Sequence, residues 1–527
     1  MKLKKILVGI STVLMCVSII YLMLFFNTHF TMLLDSDDAS EMMLAKLLAD
    51  NGGGILSDNW YYSTELRVLN TQLFRFPFFF FTNNWHAVRM LSTFIMHLAL
   101  LICVFFFCRA NQITYLFPVL GCMVSLPFSE DHFKFILKSY YLPYLSISLI
   151  MLSLTMTYGQ SMKRSKTKMF TAAIGFIFSF FAGLGGLRQL FVYYMPICAA
   201  VLWFWWLKRN PNNHSKNYII FAFLSAFAAF IGYYVNNHFL RNTFPYETRD
   251  IIHYTRIWAE TILKVFNGWL INFGYQQDGS IFSFNTIANF YAFFIIVVGV
   301  YCVYTIIRNK ENYSDENLLT TLFLCSGMII SLLFYSCTDS DYQTRYGYLV
   351  SFFMLPVIFI GIGNCPVSFW TGIKKGAAIS LIFLLTIVCG INYYKKTEAN
   401  AENSKNIEMI EIADFLLQNG YENGYSTFWN GNILTELTDG QINVWVLGRD
   451  NPVRDIENLT DYFLWLQYKS HLTDHPVGKT YMLFDTDENE KFTICKALPN
   501  DCIIYHTGDY VIYGFDTYEE LYSLIPS

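Results

Sequence analysis

Long apolar runs broken by short polar segments make up most of the chain, and the pattern changes near residue 394. A helix needs ~20 apolar residues to cross the ~30 Å hydrocarbon core of a bilayer. Eleven such runs are readable, at 5–26, 87–108, 112–128, 140–159, 169–186, 189–207, 217–236, 281–307, 318–337, 346–363 and 376–393. Those at 112–128 and 169–186 are short. The pattern predicts a helical polytopic membrane domain over 1–393, with two long connections at 27–86 and 237–280. From 394 the chain is polar and mixed. Residues 405–419 have helical spacing, with Ile407, Ile410, Phe415 and Leu416 on one face and Gly420 as a stop. Strand-like runs follow at 425–429, 442–447, 480–484 and 510–515. They predict a small α/β domain over 394–527, large enough to bury its own core. It carries no Gly-rich phosphate loop and no clear catalytic motif.

Composition agrees with this division. The 527 residues are 54% hydrophobic and 14% charged, against about 25% charged in a soluble domain. The net charge of -4 gives no sign of nucleic-acid binding. The first run is longer than a typical signal-peptide core and lacks a small-residue cleavage site, so it reads as a retained span. Lys2, Lys4 and Lys5 before it predict a cytoplasmic N-terminus. Eleven spans then place four basic loops on the same side: Lys163, Arg164, Lys166 and Lys168; Lys208, Arg209 and Lys216; Arg308 and Lys310; Lys374 and Lys375. An odd count sends the C-terminal domain outside, and both long connections with it. The expected location is the plasma or inner membrane. Cys495 and Cys502 lie in the polar tail, where either a disulfide or two free thiols is open. The other cysteines lie in or beside apolar runs and read as small hydrophobes.

The most informative polar feature is Asp35-Ser36-Asp37-Asp38-Ala39-Ser40-Glu41, directly after the first span. Residues 37–50 predict an amphipathic helix lying along the membrane surface, with Met42, Met43, Leu44, Leu47 and Leu48 on its apolar face. It ends at Asn51-Gly52-Gly53-Gly54. One reading of the acids is helix capping, with Asp35 or Ser36 as N-cap and carboxylates in the first turn complementing the dipole. That accounts for Asp35 and Asp38. It accounts less well for Asp37 and Glu41, four residues apart on one face, where like charges repel. Two such carboxylates call for a cation, a proton or a substrate between them.

A first span, an acidic motif outside it, a surface helix, further spans and an exported terminal domain together resemble the GT-C superfamily of membrane glycosyltransferases. This group includes protein mannosyltransferases, oligosaccharyltransferases and lipid A aminoarabinose transferases. The family's usual Asp-Glu pair stands here as Asp37-Asp38. The resemblance implies a carboxylate acting on the acceptor, a polyprenyl-phosphate or pyrophosphate sugar as donor, and a glycan or lipid-linked acceptor at the cell surface. The catalytic candidates are Asp37, Asp38 and Glu41, with Asp37 as base. Phe428-Trp429-Asn430-Gly431-Asn432 and Leu434-Thr435-Glu436-Leu437 are similar to tails of bacterial membrane proteins of this broad type, which adds no activity.

A phosphate donor needs cations. Arg345 and Arg188 stand at the predicted outer ends of spans, where an unpaired guanidinium is costly and can grip phosphate bidentately, the alternative being snorkelling to lipid headgroups. Lys138 beside Tyr140 and Tyr141, and Arg67 beyond Trp60-Tyr61-Tyr62, are further donor-phosphate candidates. Those aromatic residues fit an interfacial belt or a sugar platform. Arg241, Arg249, His253 and Arg256 form a basic stretch suited to a lid or to anionic lipid. Glu130-Asp131-His132 has the chemistry for a divalent metal but no regular ligand spacing, and reads more simply as a solvated loop. The cofactor is left open, a divalent ion included. Two other functions fit the pattern less well. A polysaccharide polymerase or ligase of the O-antigen type would lean on the long loops. A transporter would carry charges at mid-membrane depth, whereas these cluster at span ends.

Overall fold

The computed structural model describes residues 2–66, 68–136, 138–139, 141–160, 165–208, 213–244, 246, 253–254, 259–276, 284–364, 372–447 and 465–524. The chain divides into two compact units. The first comprises Met1–Leu24, Phe94–Asn237 and Asp250–Thr397; the second comprises Phe25–Thr93, His238–Arg249 and Glu398–Ser527.

Ten helices among the described residues are long and apolar enough to cross a membrane. They include Ile6–Leu33, Trp85–Ala110, Leu142–Gln160, Lys166–Leu184, Asp315–Cys337 and Thr344–Gly363. The protein is thus a multi-pass helical membrane protein with a small sheet region near its C-terminus. The expected third span is the one that differs. Its helical part, Thr114–Val124, covers only ~16 Å at 1.5 Å per residue. Pro127, lacking an amide hydrogen and restricting the residue before it, follows the break. This segment packs inside the first unit, where a Cβ on Gly121 would meet the Met15 sulfur at 2.5 Å.

Other spans touch backbone to backbone. A Cβ on Gly183 would lie 1.9 Å from the carbonyl oxygen of Ala229, and one on Gly232 would lie 2.1 Å from that of Phe180. Helices Lys166–Leu184 and Asn213–Val235 approach this closely because small residues face each other.

The second unit is built on a five-stranded sheet. Its strands are β2 (Asn423–Thr427), β3 (Asn443–Leu447), β5 (Thr480–Asp485), β6 (Ile503–His506) and β7 (Tyr510–Phe515), in the order β3-β2-β5-β7-β6. β3, β2 and β5 are parallel, while β7 and β6 run antiparallel. A helix over Phe428–Leu437 crosses from β2 to β3, and Gly431 brings it close to Val444 and Ser426 on one face. The opposite face buries Tyr425, Trp445, Met482 and Phe484 against Ile494, Leu498 and Leu521. Cys495 belongs to that core; it and Cys502 are free thiols, so of the two open readings the structure takes the unpaired one.

The connection after the first span belongs to this same unit. β1 (Trp60–Tyr61) pairs antiparallel with β4 (Gln467–Tyr468), joining Trp60 to Tyr468 and Tyr61 to Gln467. Trp60 is fully buried, so it is neither part of a lipid-facing belt nor an open stacking platform. Asn406, opening the helix Asn406–Gln418, donates from its side chain to the carbonyl oxygens of Thr31 and Leu34 at 3.0 and 2.8 Å.

Candidate functional site

Four helices frame the acidic motif: α1 (Lys2–Leu33), α2 (Ser36–Asp50), α3 (Gln72–Phe79) and α4 (Trp85–Ala110). Asp35 leaves α1 in an extended conformation, φ -126° and ψ 169°, and caps α2. Its Oδ1 accepts the backbone amide of Asp38 at 3.0 Å, which occupies one of the donors a helix start leaves open. Gly52 and Gly53, with φ of +82° and +100°, close the other end, where side chains would be strained.

α2 differs from its expected setting. It does not lie on a surface: Ala39, Met42, Met43, Ala45 and Leu48 are almost wholly buried, and the helix packs against α3 and the helix Phe428–Leu437. Its apolar face is covered by protein. The polar groups at its start are covered as well, each in a different way.

Glu41 is 6% exposed, and hydrogen bonds reach its carboxylate from the 70–75 segment. They come from Arg75 Nη1 at 2.8 Å, Asn70 Nδ2 at 3.3 Å and the hydroxyl of Thr71. Glu41 thus has a cationic partner in Arg75, itself fully buried. Burial, reinforced by the nearby Arg89, pulls the Arg75 guanidinium down to about 10, which still leaves it protonated at neutral pH. Asp38 is 2% exposed, and its charge acts on both Arg75 and Arg89. Its backbone carbonyl accepts Arg89 Nη2 at 2.9 Å. Arg89 also grips Glu436 through Nε and Nη2 at 2.5 and 2.6 Å, beneath the ring of Phe30 at 4.5 Å. Asn432 Nδ2 donates to Ser40 Oγ at 2.7 Å. Asp37 and the cap Asp35 are the exceptions, both half-exposed.

A second cluster lies in the first unit. Arg188 precedes the π-helical turn Leu190–Tyr194, and Arg345 sits in the 3-10 turn Thr344–Gly347. The Arg188 guanidinium lies 5.2, 5.6 and 5.5 Å from the rings of Tyr141, Tyr144 and Tyr346. Arg345 lies 5.6 Å from the same Tyr346 ring. Two like charges thus share one aromatic ring and repel each other. Arg345 Nε is buried and meets no acceptor among the described residues. Such an arrangement suits an anion, because planar guanidinium forks match phosphate oxygens. Lys138, half-buried, acts electrostatically on Glu130. Arg67 lies outside the described residues, as do Arg249 and Arg256. Arg241 rests 5.1 Å from the Tyr246 ring, and the His253 amide donates to Asp339 Oδ1 at 3.0 Å.

Glu130-Asp131-His132 is not a solvated loop. It opens the helix Glu130–Ile136, with Asp131 and His132 buried. His132 lies between Phe128 and Phe352, at 4.4 and 4.8 Å, and burial pulls it down to about 3, so its ring is neutral. Among the described residues no three His, Cys, Asp or Glu side chains gather in a way that could hold a metal ion.

Sequence reasoning missed Arg75, Arg89, Asn70, Thr71 and Glu436. One signal was available: Arg89 interrupts an apolar span near its start, where a charge needs a partner. Nothing in the sequence pointed to Glu436 as that partner.

No family model and no curated protein matches the chain by sequence. Solved structures match its fold. ArnT from Cupriavidus metallidurans bound to undecaprenyl phosphate superposes with a TM-score of 0.53 at 11% identity, covering 97% of both chains. The apo state of that protein gives 0.52 at 10% identity, over 93% of this chain and 94% of the other. The apo oligosaccharyltransferase of Archaeoglobus fulgidus gives 0.52 at 11% identity, over 90% of this chain and 70% of the other.

Proposed function

Because the chain has the GT-C fold of these enzymes, we propose that it is a membrane glycosyltransferase using a polyprenyl-phosphate-linked sugar. The acceptor is a cell-surface glycan or a lipid-linked saccharide. The observation that carries the reading is the state of the acidic motif. Asp35 is engaged as a cap, Asp38 and Glu41 are buried beside arginines, and Asp37 keeps a half-exposed carboxylate. A base must reach the acceptor hydroxyl, and Asp37 is half-exposed without serving as the N-cap, as Asp35 does. Asp38 and Glu41 hold the motif's shape and charge.

In the proposed step the acceptor oxygen attacks the anomeric carbon while Asp37 takes its proton. The bond from that carbon to the phosphate oxygen breaks, and the polyprenyl phosphate leaves with the electron pair. Taken by themselves, Arg345 and Arg188 have the chemistry of donor-phosphate contacts, and Lys138 and Arg67 are further candidates. One carboxylate suffices because the phosphate is already a good leaving group. The pair of flanking carboxylates that glycosidases use is not required.

Replacing Arg345 by Lys tests the donor half. Lysine keeps the charge but not the fork, so turnover per donor bound should fall about 10-fold or more, the worth of one charge-assisted bond. The measurement is kcat/KM for sugar transfer from undecaprenyl-phosphate donors. Normal turnover and normal undecaprenyl phosphate binding in Arg345→Lys would assign this arginine to lipid headgroups.

The proposed orientation has the N-terminus in the cytoplasm and the sheet-bearing end outside. It follows from the basic loops and requires that the short Thr114–Val124 segment complete a crossing. A reporter active only in the cytoplasm, fused after Ser527, should be silent. Strong activity there would place the acidic motif and the C-terminal sheet differently.

A further inference from the structure

Resting on Asp37 as the base, we propose that Glu436 and Arg89 are positioning residues, which fix the direction of the Asp37 carboxylate through the backbone of Asp38.

The geometry carries the inference. Asp37 and Asp38 form the first turn of α2, where helices fray unless tied. Arg89, 1% exposed, sets the plane of its guanidinium by the two bonds to Glu436. That leaves Nη2 also aimed at the Asp38 carbonyl, 2.9 Å away. Glu436 stands near the end of the helix Phe428–Leu437, and the same helix bonds Ser40 through Asn432. Just beyond that helix, Asp439 Oδ1 accepts the backbone amide of Trp85, four residues before Arg89, at 2.7 Å. Three segments far apart in the chain therefore meet around the Asp38–Ala39 peptide, one residue beyond Asp37.

Stability alone does not call for charges here. Apolar side chains of similar volume commonly replace a buried ion pair at no cost to stability. What an apolar pair cannot supply is a rigid, directed N–H to a carbonyl. Directing a base is where small displacements matter, since misplacing a reacting group by ~1 Å can lower a rate by ~100-fold.

The test uses the full-length protein and transfer of radiolabelled sugar from undecaprenyl-phosphate donors in host membranes. Arg89→Met/Glu436→Met removes the fork while filling its volume, and Glu436→Gln keeps the shape and one acceptor. Both should insert and bind undecaprenyl phosphate normally; the paired variant should keep nearly the wild-type melting temperature, whereas Glu436→Gln, which leaves Arg89 buried beside a neutral amide, should melt lower. In both, kcat should fall about 10-fold or more, with donor KM unchanged. Adding Asp37→Asn should then cost far less than it does in the wild type, because the base is already misdirected. Wild-type kcat in the paired variant, or losses that multiply in full with that of Asp37→Asn, would overturn the positioning role and leave the base reading intact. If the paired variant fails to insert, Glu436→Gln carries the same readouts. An active Asp37→Asn single variant overturns the base reading, and this proposal with it.

Discussion

Asp37→Asn should lower sugar transfer by roughly 100-fold or more, the usual contribution of a general base, while the protein still inserts and folds. Asparagine keeps the shape of the side chain and removes the acceptor of the proton. Asp37 is half-exposed, so the change removes no fully buried charge. Asp35→Asn is the control. Asparagine caps helices about as well as aspartate, so the bond to the Asp38 amide survives and activity should change little. Asp38→Asn is the informative neighbour. Its carboxylate is buried beside two guanidiniums, so its loss should reduce stability before it reduces chemistry. The measurement is transfer from a lipid-linked sugar together with the melting temperature of each variant. An active Asp37→Asn with a folded but dead Asp38→Asn would keep the function and move the base by one residue. If all three aspartates tolerate Asn, the motif is only a cap, and the glycosyltransferase reading loses its main support.

The largest effect on stability should come from the other side of α2. Arg75→Met takes the guanidinium partner from the Glu41 carboxylate, 6% exposed, and leaves it the neutral donors Asn70 and Thr71. Breaking one half of a buried pair costs about 3–5 kcal/mol. That is a large share of a typical domain's stability of about 5–15 kcal/mol. Arg75→Met should therefore melt well below the wild type in detergent and lose the protease resistance of the 35–50 segment. Glu41→Gln/Arg75→Met removes both charges and should recover most of the loss. A wild-type melting temperature for Arg75→Met would mean that Glu41 is neutralised in some other way. Equal melting of the single and paired variants would show that volume, not charge, matters at this place.

Much of the membrane architecture was determined by the sequence alone. A bilayer offers no hydrogen bonds to the backbone, so spans must be long, apolar and helical, and hydropathy reports them directly. Ten of the spans read from the sequence recur as long apolar helices. The short third one was overestimated because apolar content does not reveal where a helix breaks, and the polypeptide around Ser125 and Pro127 does break it. The strands β2, β3, β5 and β7 were legible from runs of β-type residues. β6 was not, and neither were the paired β1 and β4, which at two residues each have no periodicity to read.

The acidic motif stood out by composition and position, and its helix and an N-cap at Asp35 or Ser36 followed from local rules that need no partner; the structure takes Asp35. The sequence could also show that α2 has an apolar face. It could not show what covers that face, because periodicity specifies an amphipathic surface and not its complement. The membrane was the expected cover; α3 and the helix Phe428–Leu437 are the actual one. In the same way, Asp37 and Glu41 share a face by spacing alone, but only the tertiary structure brought Arg75 to Glu41, 34 residues away. Arg89 and Glu436 lie 347 residues apart, and no local pattern links them. Local propensity thus determined the spans, the cap and the presence of the carboxylates. Which carboxylate is buried with a cation and which stays half-exposed was decided by long-range packing, because burial and pairing belong to the folded chain as a whole.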